Sequence, residues 1–268
     1  MQKRIVVLGF VFLGLGLAFS SCESLKTSLD SVGKSLSEAA SNISGGNGSG
    51  GGLAGAKYDP DKRGDPDSAH WDIETLDTAA NADYLTGVEK DVILEMNKVR
   101  NNPKKYAERY IQPTLKYYNG KNYEEPGHIT IVTQEGAAAV NACISALSKS
   151  KSAGVLSAEK GIWLAAKDHA IDQSKTGRTG HDGSDGSDPF TRMKRYGGYN
   201  TAGENCAYGP NTGRDIVVQF LVDDGVPSRG HRKNIMNAAF SQTGVSVQTH
   251  PEFRYCCVID YANGYVSK

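Results

Sequence analysis

The sequence lacks an excess of charge of either sign. Lys and Arg together number 30, and so do Asp and Glu, which gives a formal net charge of zero. Proteins that bind nucleic acid or an anionic membrane surface through their overall field carry a basic excess. We therefore expect no nucleic-acid partner for this chain.

The sequence also lacks a hydrophobic run long enough to cross a bilayer. Its longest apolar run, from Ile5 to Phe19, follows Lys3 and Arg4, and it falls short of the roughly 20 residues that a transmembrane helix needs. A basic start, an apolar stretch and small residues are typical of an export signal. We predict a signal peptide over residues 1–21.

The end of this signal resembles a bacterial lipobox. Small residues precede Cys22, although Phe19 stands where that pattern usually has an aliphatic residue. We expect Cys22 to be lipidated and to anchor the chain to a membrane of the cell envelope, facing the periplasm or the surface. An ordinary cleaved signal with a chance cysteine is the alternative, and the protein is then extracellular.

Composition divides the rest of the chain into three parts. Residues 22–56 contain apolar residues at spacings of three and four, followed by the run GGNGSGGG, which predicts a tether and a flexible linker. Residues 57–84 form a polar extension in which Trp71 is the candidate anchor. Residues 85–268 carry the regular patterns of one folded domain.

Helix signals come first in this domain and strand signals come last. Thr86 and Glu89 have capping-box spacing, whereas Asn102 and Asp188 each precede a proline that suits a first helical turn. Further helices are predicted over about 133–148, after Ser157 and over 212–222, and strands over 244–248 and 254–261. Without a repeating strand–helix unit, this order predicts an α+β layered domain.

Cysteine usage agrees with export. Without Cys22, four of the five cysteines remain, namely Cys143, Cys206, Cys256 and Cys257. Four cysteines allow three pairings. Adjacent residues of a strand point to opposite faces, so Cys256 and Cys257 should differ in partner. We expect one or two disulfides, with Cys206 joined to Cys256 or Cys257, unless the thiols stay buried and free.

Three polar segments set among glycines look like parts of one site. They are His181, the triplet Gly203-Glu204-Asn205, and the segment GHRKNI that contains His231. Imidazole and carboxylate groups bind metals and move protons near neutral pH. Ser228 is a candidate cap for a helix with His231 in its first turn. His169 and Asp172 are expected on the flank of their own helix, outside any site.

These segments occur in an order that resembles the CAP superfamily of cysteine-rich secretory proteins, antigen 5 and pathogenesis-related proteins, in its bacterial SCP-like branch. The resemblance rests on LEMNKVRNNPKKYA, HDGSDGSDPFTRM, GEN and VVQFLVDDGVPSRGHRKNIMNAAFSQTGVSV. It implies a three-layer α-β-α sandwich around a central, largely antiparallel sheet. It also implies a cleft tetrad of His181, Glu204, His231 and Asp223, with Asp224 as the alternative acid.

Such a tetrad suits a weakly held Zn(II) bound by His181 and His231, with Glu204 and Asp223 as supporting acids. A Ca(II) site in the loop HDGSDGSD is disfavoured because the distal bidentate Glu of an EF-hand is absent. Asx-turns and a helix cap account for Asp182, Asp185 and Asp188 instead.

Three functions fit the sequence. The first is a non-enzymatic binding module on the envelope, with a small-molecule, lipid or protein ligand. The second is a zinc-dependent hydrolase in which Glu204 is the general base, and catalytic residues would then be Glu204, His181, His231 and Asp223. The third is a structural, host-interaction surface protein. Because catalytic zinc usually has three protein ligands, two histidines favour binding over catalysis.

Overall fold

A computed structural model describes residues 58–268 and the backbone of residues 5–7. Cys22, the tether and the glycine-rich linker lie outside the described residues. The helices are α1 (Ile73–Leu76), α2 (Gly87–Asn101), α3 (Pro103–Tyr106), α4 (Ala137–Lys149), α5 (Lys160–Thr176), α6 (Pro189–Tyr196), α7 (Gly213–Val222) and α8 (Gly230–Ile235). A π-helical turn, Ala107–Ile111, and a 3-10 helix, Gln112–Tyr117, follow α3.

The strands are β1 (Ile5–Val7), β2 (Tyr118–Asn119), β3 (Asn122–Tyr123), β4 (Thr130–Val132), β5 (Ser157–Ala158), β6 (Gly197–Gly198), β7 (Thr201–Tyr208), β8 (Gln242–His250), β9 (Arg254–Asn263) and β10 (Val266–Ser267). The main sheet has the order β5-β8-β9-β7 and is antiparallel except where β5 pairs with β8. The predicted hairpin of two late strands, here β8 and β9, is confirmed.

Helices cover both faces of the main sheet. Val258 of β9 packs with Ala166 and Ala170 of α5 on one face. On the other face the Tyr261 hydroxyl lies 3.4 Å from the Met96 sulfur of α2, and Glu89 accepts a hydrogen bond from the backbone N–H of Val247 at 3.0 Å. Because β9 alternates its side chains between two helical layers, the predicted α-β-α sandwich is confirmed.

The predicted helix starts follow from local hydrogen bonds. Thr86 and Glu89 form a reciprocal capping box at α2. Asn102 accepts from the backbone of Lys105 at α3, and Asp188 accepts from the backbone of Thr191 at α6. Each contact links residues three positions apart, so a short stretch of sequence suffices to predict it.

The helix predicted over 133–148 begins later, at Ala137, because residues before it have another partner. The backbone N–H groups of Gln134 and Glu135 donate to the carboxylate of Asp224 at 2.6 and 2.8 Å. Gly136 then takes a positive φ of 63° as the helix N-cap. A distant acid, rather than a local cap, organises this helix start.

The polar extension packs against the domain. Asp59–Lys268 belong to one compact unit, whereas the second unit, Gly14–Tyr58, falls almost wholly outside the described residues. Trp71 is buried, and its indole N–H donates to the Tyr110 hydroxyl at 2.8 Å. The anchoring role predicted for Trp71 is confirmed.

A second sheet has the order β1-β4-β3-β2, in which Ile5–Val7 runs parallel to Thr130–Val132. This strand falls inside the predicted signal peptide, which as a cleaved leader would contribute no strand to the mature domain. No helix within the described residues has the length and hydropathy of a membrane span.

The predicted disulfide does not form, because Cys143, Cys206, Cys256 and Cys257 are all buried free thiols. Cys206 lies opposite Val258, and Cys256 lies opposite Tyr208, so the two cysteines are diagonal neighbours on adjacent strands. Diagonal positions have Cα atoms roughly 7–8 Å apart, beyond the reach of most disulfides. Cys257 points to the other face of the sheet.

Candidate functional site

His181 and Glu204 form the first of two histidine–carboxylate pairs. His181 lies in the loop after α5, and Glu204 lies on β7. The imidazole Nδ1 and the carboxylate Oε1 are 2.7 Å apart, and Arg192 of α6 donates to Oε2 at 2.7 Å. Glu204 is buried, whereas the His181 side chain keeps 26% of its surface exposed. The buried acid therefore holds a histidine that still reaches solvent.

The environment of Glu204 keeps this carboxylate ionised. Burial by itself raises its pKa, but the hydrogen bond from His181 and the charge of Arg192 outweigh that effect and hold the pKa below its ordinary value. An ionised Glu204 can only accept a hydrogen bond, so Nδ1 of His181 is the donor of this contact. The neutral tautomer with its proton on Nδ1 has a lone pair on Nε2.

His231 and Asp223 form the second pair, with the imidazole Nδ1 2.6 Å from Oδ1. Asp223 is the C-cap of α7 in the left-handed conformation, with φ 56°, which Asp tolerates better than most residues. This turn brings the short side chain to His231. The other oxygen accepts from the His231 backbone N–H at 3.0 Å.

Asp223 therefore occupies the position of the fourth predicted acid, and Asp224 does not, because Asp224 binds the start of α4. The predicted cap at Ser228 is wrong. Arg229 is the N-cap of α8 and makes no side-chain cap, so Asp223 supplies the acceptor for this first turn. His231 does lie in that turn, as predicted.

Two asparagines connect the pairs. The Asn234 side chain donates to Oδ1 of Asn205 at 2.8 Å and to the carbonyl oxygen of Glu204 at 3.1 Å. The Asn205 side chain donates to the carbonyl oxygen of His231 at 3.1 Å. Within residues 58–268, no hydrogen bond runs between the side chains of one pair and those of the other, so the contact between them passes through these amides.

Each histidine has the orientation of a metal ligand. Ligating imidazoles commonly donate their second ring nitrogen to a carboxylate, which sets the tautomer. Nδ1 of His181 and Nδ1 of His231 are engaged in this way. Neither Nε2 has a hydrogen-bond partner in the described part of the chain. Each imidazole therefore presents its Nε2 as a zinc-ligating histidine does.

The sequence-based prediction missed two residues beside Glu204. His169, Glu204 and Cys206 are buried, with potential ligand atoms within 4.8 Å of one another. His169 was predicted on a helix flank and Cys206 in a disulfide, and both predictions are wrong. One signal was available: Cys206 lies two positions after Glu204, so on a strand both point to the same face. Nothing local connects His169 to them.

A second buried acid adjoins this group. Asp260 of β9 lies opposite Glu204 in the strand register, and neither of its carboxylate oxygens has a hydrogen-bond partner among the described residues. Burial, followed by the neighbouring charge of Glu204, raises the pKa of Asp260 well above its ordinary value. Its position thus favours the protonated form of Asp260.

Two aspartates of the loop HDGSDGSD, Asp185 and Asp188, have protein partners. Asp185 accepts from the backbone N–H of Ser187 at 2.9 Å and from Arg195 at 2.7 Å. Asp188 caps α6. The Asx-turn and the helix cap predicted for this loop are confirmed.

Comparison with known proteins identifies the family. The sequence profile described as CAP, the Cysteine-rich secretory protein family, matches residues 95–261. The chain belongs to the CAP family. Both histidine–carboxylate pairs, together with His169 and Cys206, lie inside the matched range.

Individual proteins match over shorter stretches of the chain. The uncharacterized protein YkwD of Bacillus subtilis (strain 168) is 45% identical over 58 residues, which is 21% of this chain and 21% of that relative. An extracellular protein containing a SCP domain from Bacillus anthracis str. Ames is 24% identical, over 41% of this chain and 34% of that chain, with a TM-score of 0.36. An outer surface protein from Borrelia burgdorferi is 18% identical, over 41% of this chain and 79% of that chain, with a TM-score of 0.35.

Proposed function

We propose that this CAP-family chain is an exported, non-enzymatic binding module of the cell envelope that holds a divalent cation, Zn(II), through His181 and His231. One observation carries the proposal: each Nδ1 meets a buried carboxylate, at 2.7 and 2.6 Å, and each Nε2 is left without a partner among the described residues. This arrangement turns Nδ1 of each ring towards its acid and aims Nε2 away from it, the orientation of a metal-ligating histidine.

The bound cation would supply positive charge and open coordination positions. Two imidazoles give fewer protein ligands than the three of most catalytic zinc sites. Weak binding and exchangeable water positions suit the capture of an anionic or carbonyl group on a small molecule, a lipid or a protein. In this proposal Glu204 and Asp223 orient the histidines and do not contact the cation.

The contacts of Glu204 favour binding over hydrolysis. A general base needs a carboxylate oxygen within reach of a water molecule. Oε1 of Glu204 is engaged by His181, Oε2 is engaged by Arg192, and the side chain is 2% exposed. An acid held in this way is better suited to positioning an imidazole than to accepting a proton from water.

Metal titration tests the histidine proposal. Isothermal titration calorimetry measures the Zn(II) affinity of the wild-type chain and of the variants His181→Ala and His231→Ala. Each substitution is expected to weaken Zn(II) binding at least about tenfold. His128→Ala is the matched control, because His128 is exposed and its side chain has no carboxylate partner within residues 58–268. Unchanged affinity in both variants would contradict the proposal and leave a structural surface protein as the alternative.

The envelope location rests on the predicted lipobox. Lipidation at Cys22, after removal of residues 1–21, would hold the domain at the membrane, facing the periplasm or the cell surface. Labelled palmitate and detergent-phase partition of the full chain, compared with Cys22→Ala, test the anchor. Loss of label and of partition in the variant is expected. Equal behaviour of the two chains contradicts the anchor, and the protein is then extracellular.

A further inference from the structure

We propose a second, buried metal site, formed by His169, Glu204 and Cys206, that takes a thiophilic divalent cation of the Zn(II) class. We call these three residues the thiol cluster. It shares Glu204 with the site proposed above, but it uses a thiolate and lies on the face of the sheet that packs against α5. His231 takes no part in it.

The separations within the thiol cluster suit a tetrahedral ion. Zinc bonds of about 2.0–2.3 Å place neighbouring ligand atoms about 3.3–3.8 Å apart. The Cys206 sulfur lies 3.6 Å from Oε1 of Glu204, and all three ligand atoms fall within 4.8 Å of one another. Nδ1 of His181 is 3.8 Å from the same sulfur. An ion at Oε1 would take the place of the hydrogen bond from His181.

The hydrogen bonds of His169 leave one of its ring nitrogens available to bind a metal ion. One ring nitrogen, Nε2, is 2.9 Å from the carbonyl oxygen of Gly180, which can only accept, and 3.0 Å from the side-chain nitrogen of Gln173, which can only donate. The tautomer that donates to Gly180 leaves a lone pair on Nδ1, and this is the tautomer that the proposed site uses. Nδ1 is buried without a hydrogen-bond partner in residues 58–268, in a side chain that is 1% exposed. Buried polar atoms in native proteins are rarely unpaired, and a metal ion would satisfy this one.

Binding would exchange a proton for the cation. The buried Cys206 thiol lies 3.6 Å from Oε1 of Glu204 and donates towards it, and Arg192 pairs with the other oxygen of that carboxylate at 2.7 Å. On binding, the sulfur–proton bond breaks, a sulfur–metal bond forms and the proton leaves to water. The thiolate and Glu204 then supply two negative charges to the divalent ion. Thiolate, imidazole and carboxylate are together ligands that Zn(II) prefers.

A small cavity reaches one member of the thiol cluster, His169. It has a volume of about 120 Å³ and is lined by His169 together with Asp168, Asp172, Asp185, Arg192 and Arg195. This volume admits several waters, and hence a partly hydrated ion. Three carboxylates against two guanidinium groups leave the entrance with a net negative charge, which favours a cation over an anion.

Co(II) is the probe that tests the site, because a thiolate ligand gives Co(II) an intense charge-transfer absorption that imidazole and carboxylate ligands do not. The full chain, reduced and free of metal, is titrated with Co(II) in the near ultraviolet. We expect the charge-transfer band in the wild type and its loss in Cys206→Ser. In His169→Ala the band should change wavelength, or the Co(II) affinity should fall at least tenfold. Zn(II) should displace the Co(II) and abolish the band.

Two controls separate this proposal from the first. Cys256 packs in the same apolar cluster as Cys206, so Cys256→Ser should keep the band. His231→Ala should also keep it while losing the other site. A wild type without the band, or a band that survives Cys206→Ser or disappears equally in Cys256→Ser, overturns the proposal. A wild type without the band overturns the proposal even if a variant fails to fold, and Cys256→Ser then serves as the folded comparison for the thiol assignment.

Discussion

The side-chain amide of Asn234 donates to Oδ1 of Asn205 across 2.8 Å, and this contact joins the two histidine–carboxylate pairs. Asn205 follows Glu204 on β7, and Asn234 follows His231 by three positions on α8. The GEN and GHRKN segments thus contain both the histidine sites and the amides that hold one segment against the other.

Asn234→Ala should therefore loosen both pairs without removing either. It leaves Oδ1 of the buried Asn205 unpaired, and an unsatisfied buried polar atom costs about 1–3 kcal/mol. We expect the free energy of unfolding in urea to fall by that amount and Zn(II) affinity to fall with it. Asn101→Ala, at an exposed helix end, is the control. Equal unfolding midpoints for the two variants would contradict the linking role.

Arg100 should be essential to the segment that follows α8. Its buried guanidinium donates to the carbonyl oxygens of Gly154, Ile235, Asn237 and Phe240. Arg100→Met leaves these acceptors without their donor, and the expected loss is at least about 3 kcal/mol of unfolding free energy. Thermal or urea unfolding measures this loss of free energy. The control is Arg178→Met, because Arg178 is exposed. A loss no larger than in the control would count against this role.

Asp67 should make the attachment of the polar extension sensitive to acid. Burial by itself raises the pKa of Asp67, but hydrogen bonds from Arg109, Tyr110 and His70 outweigh it and hold the pKa well below its ordinary value of 3.8. The stability that this carboxylate contributes is therefore present above about pH 4 and is lost as pH falls through the lowered pKa.

The variant Asp67→Asn tests this dependence. At neutral pH it should be less stable than the wild type, on the order of 1 kcal/mol, and the difference should shrink as both chains are acidified. Unfolding followed at several pH values measures the gap, with the exposed Asp61→Asn as control. A gap that stays constant down to low pH would show that the charge of Asp67 is not involved.

Gly244 should tolerate no side chain. A Cβ at this position would lie 2.1 Å from the backbone nitrogen of Trp163, because α5 crosses β8 closely there. Gly244→Ala is expected to cost about 3 kcal/mol or more, at the upper end of overpacking effects. Gly154→Ala, with no neighbour within 4 Å of the added carbon, should be nearly neutral in the same thermal unfolding assay. Similar melting of the two variants would refute the close crossing.

Local sequence determined much of this fold. The capping box at Thr86, the caps at Asn102 and Asp188, and the late hairpin were predictable because each depends on residues a few positions apart or on strand alternation. His181, Glu204 and His231 were predictable from the glycine-rich segments that contain them, and the resemblance to the CAP superfamily added Asp223.

Only the tertiary structure decided how these residues meet. The left-handed turn at Asp223 selects this acid over Asp224, and the strand register keeps Cys206 and Cys256 apart as free thiols. The packing of α5 on the sheet places His169 beside Glu204 and Cys206. These outcomes depend on how distant elements cross and in which register strands pair, and a periodic pattern in one segment carries no information about either.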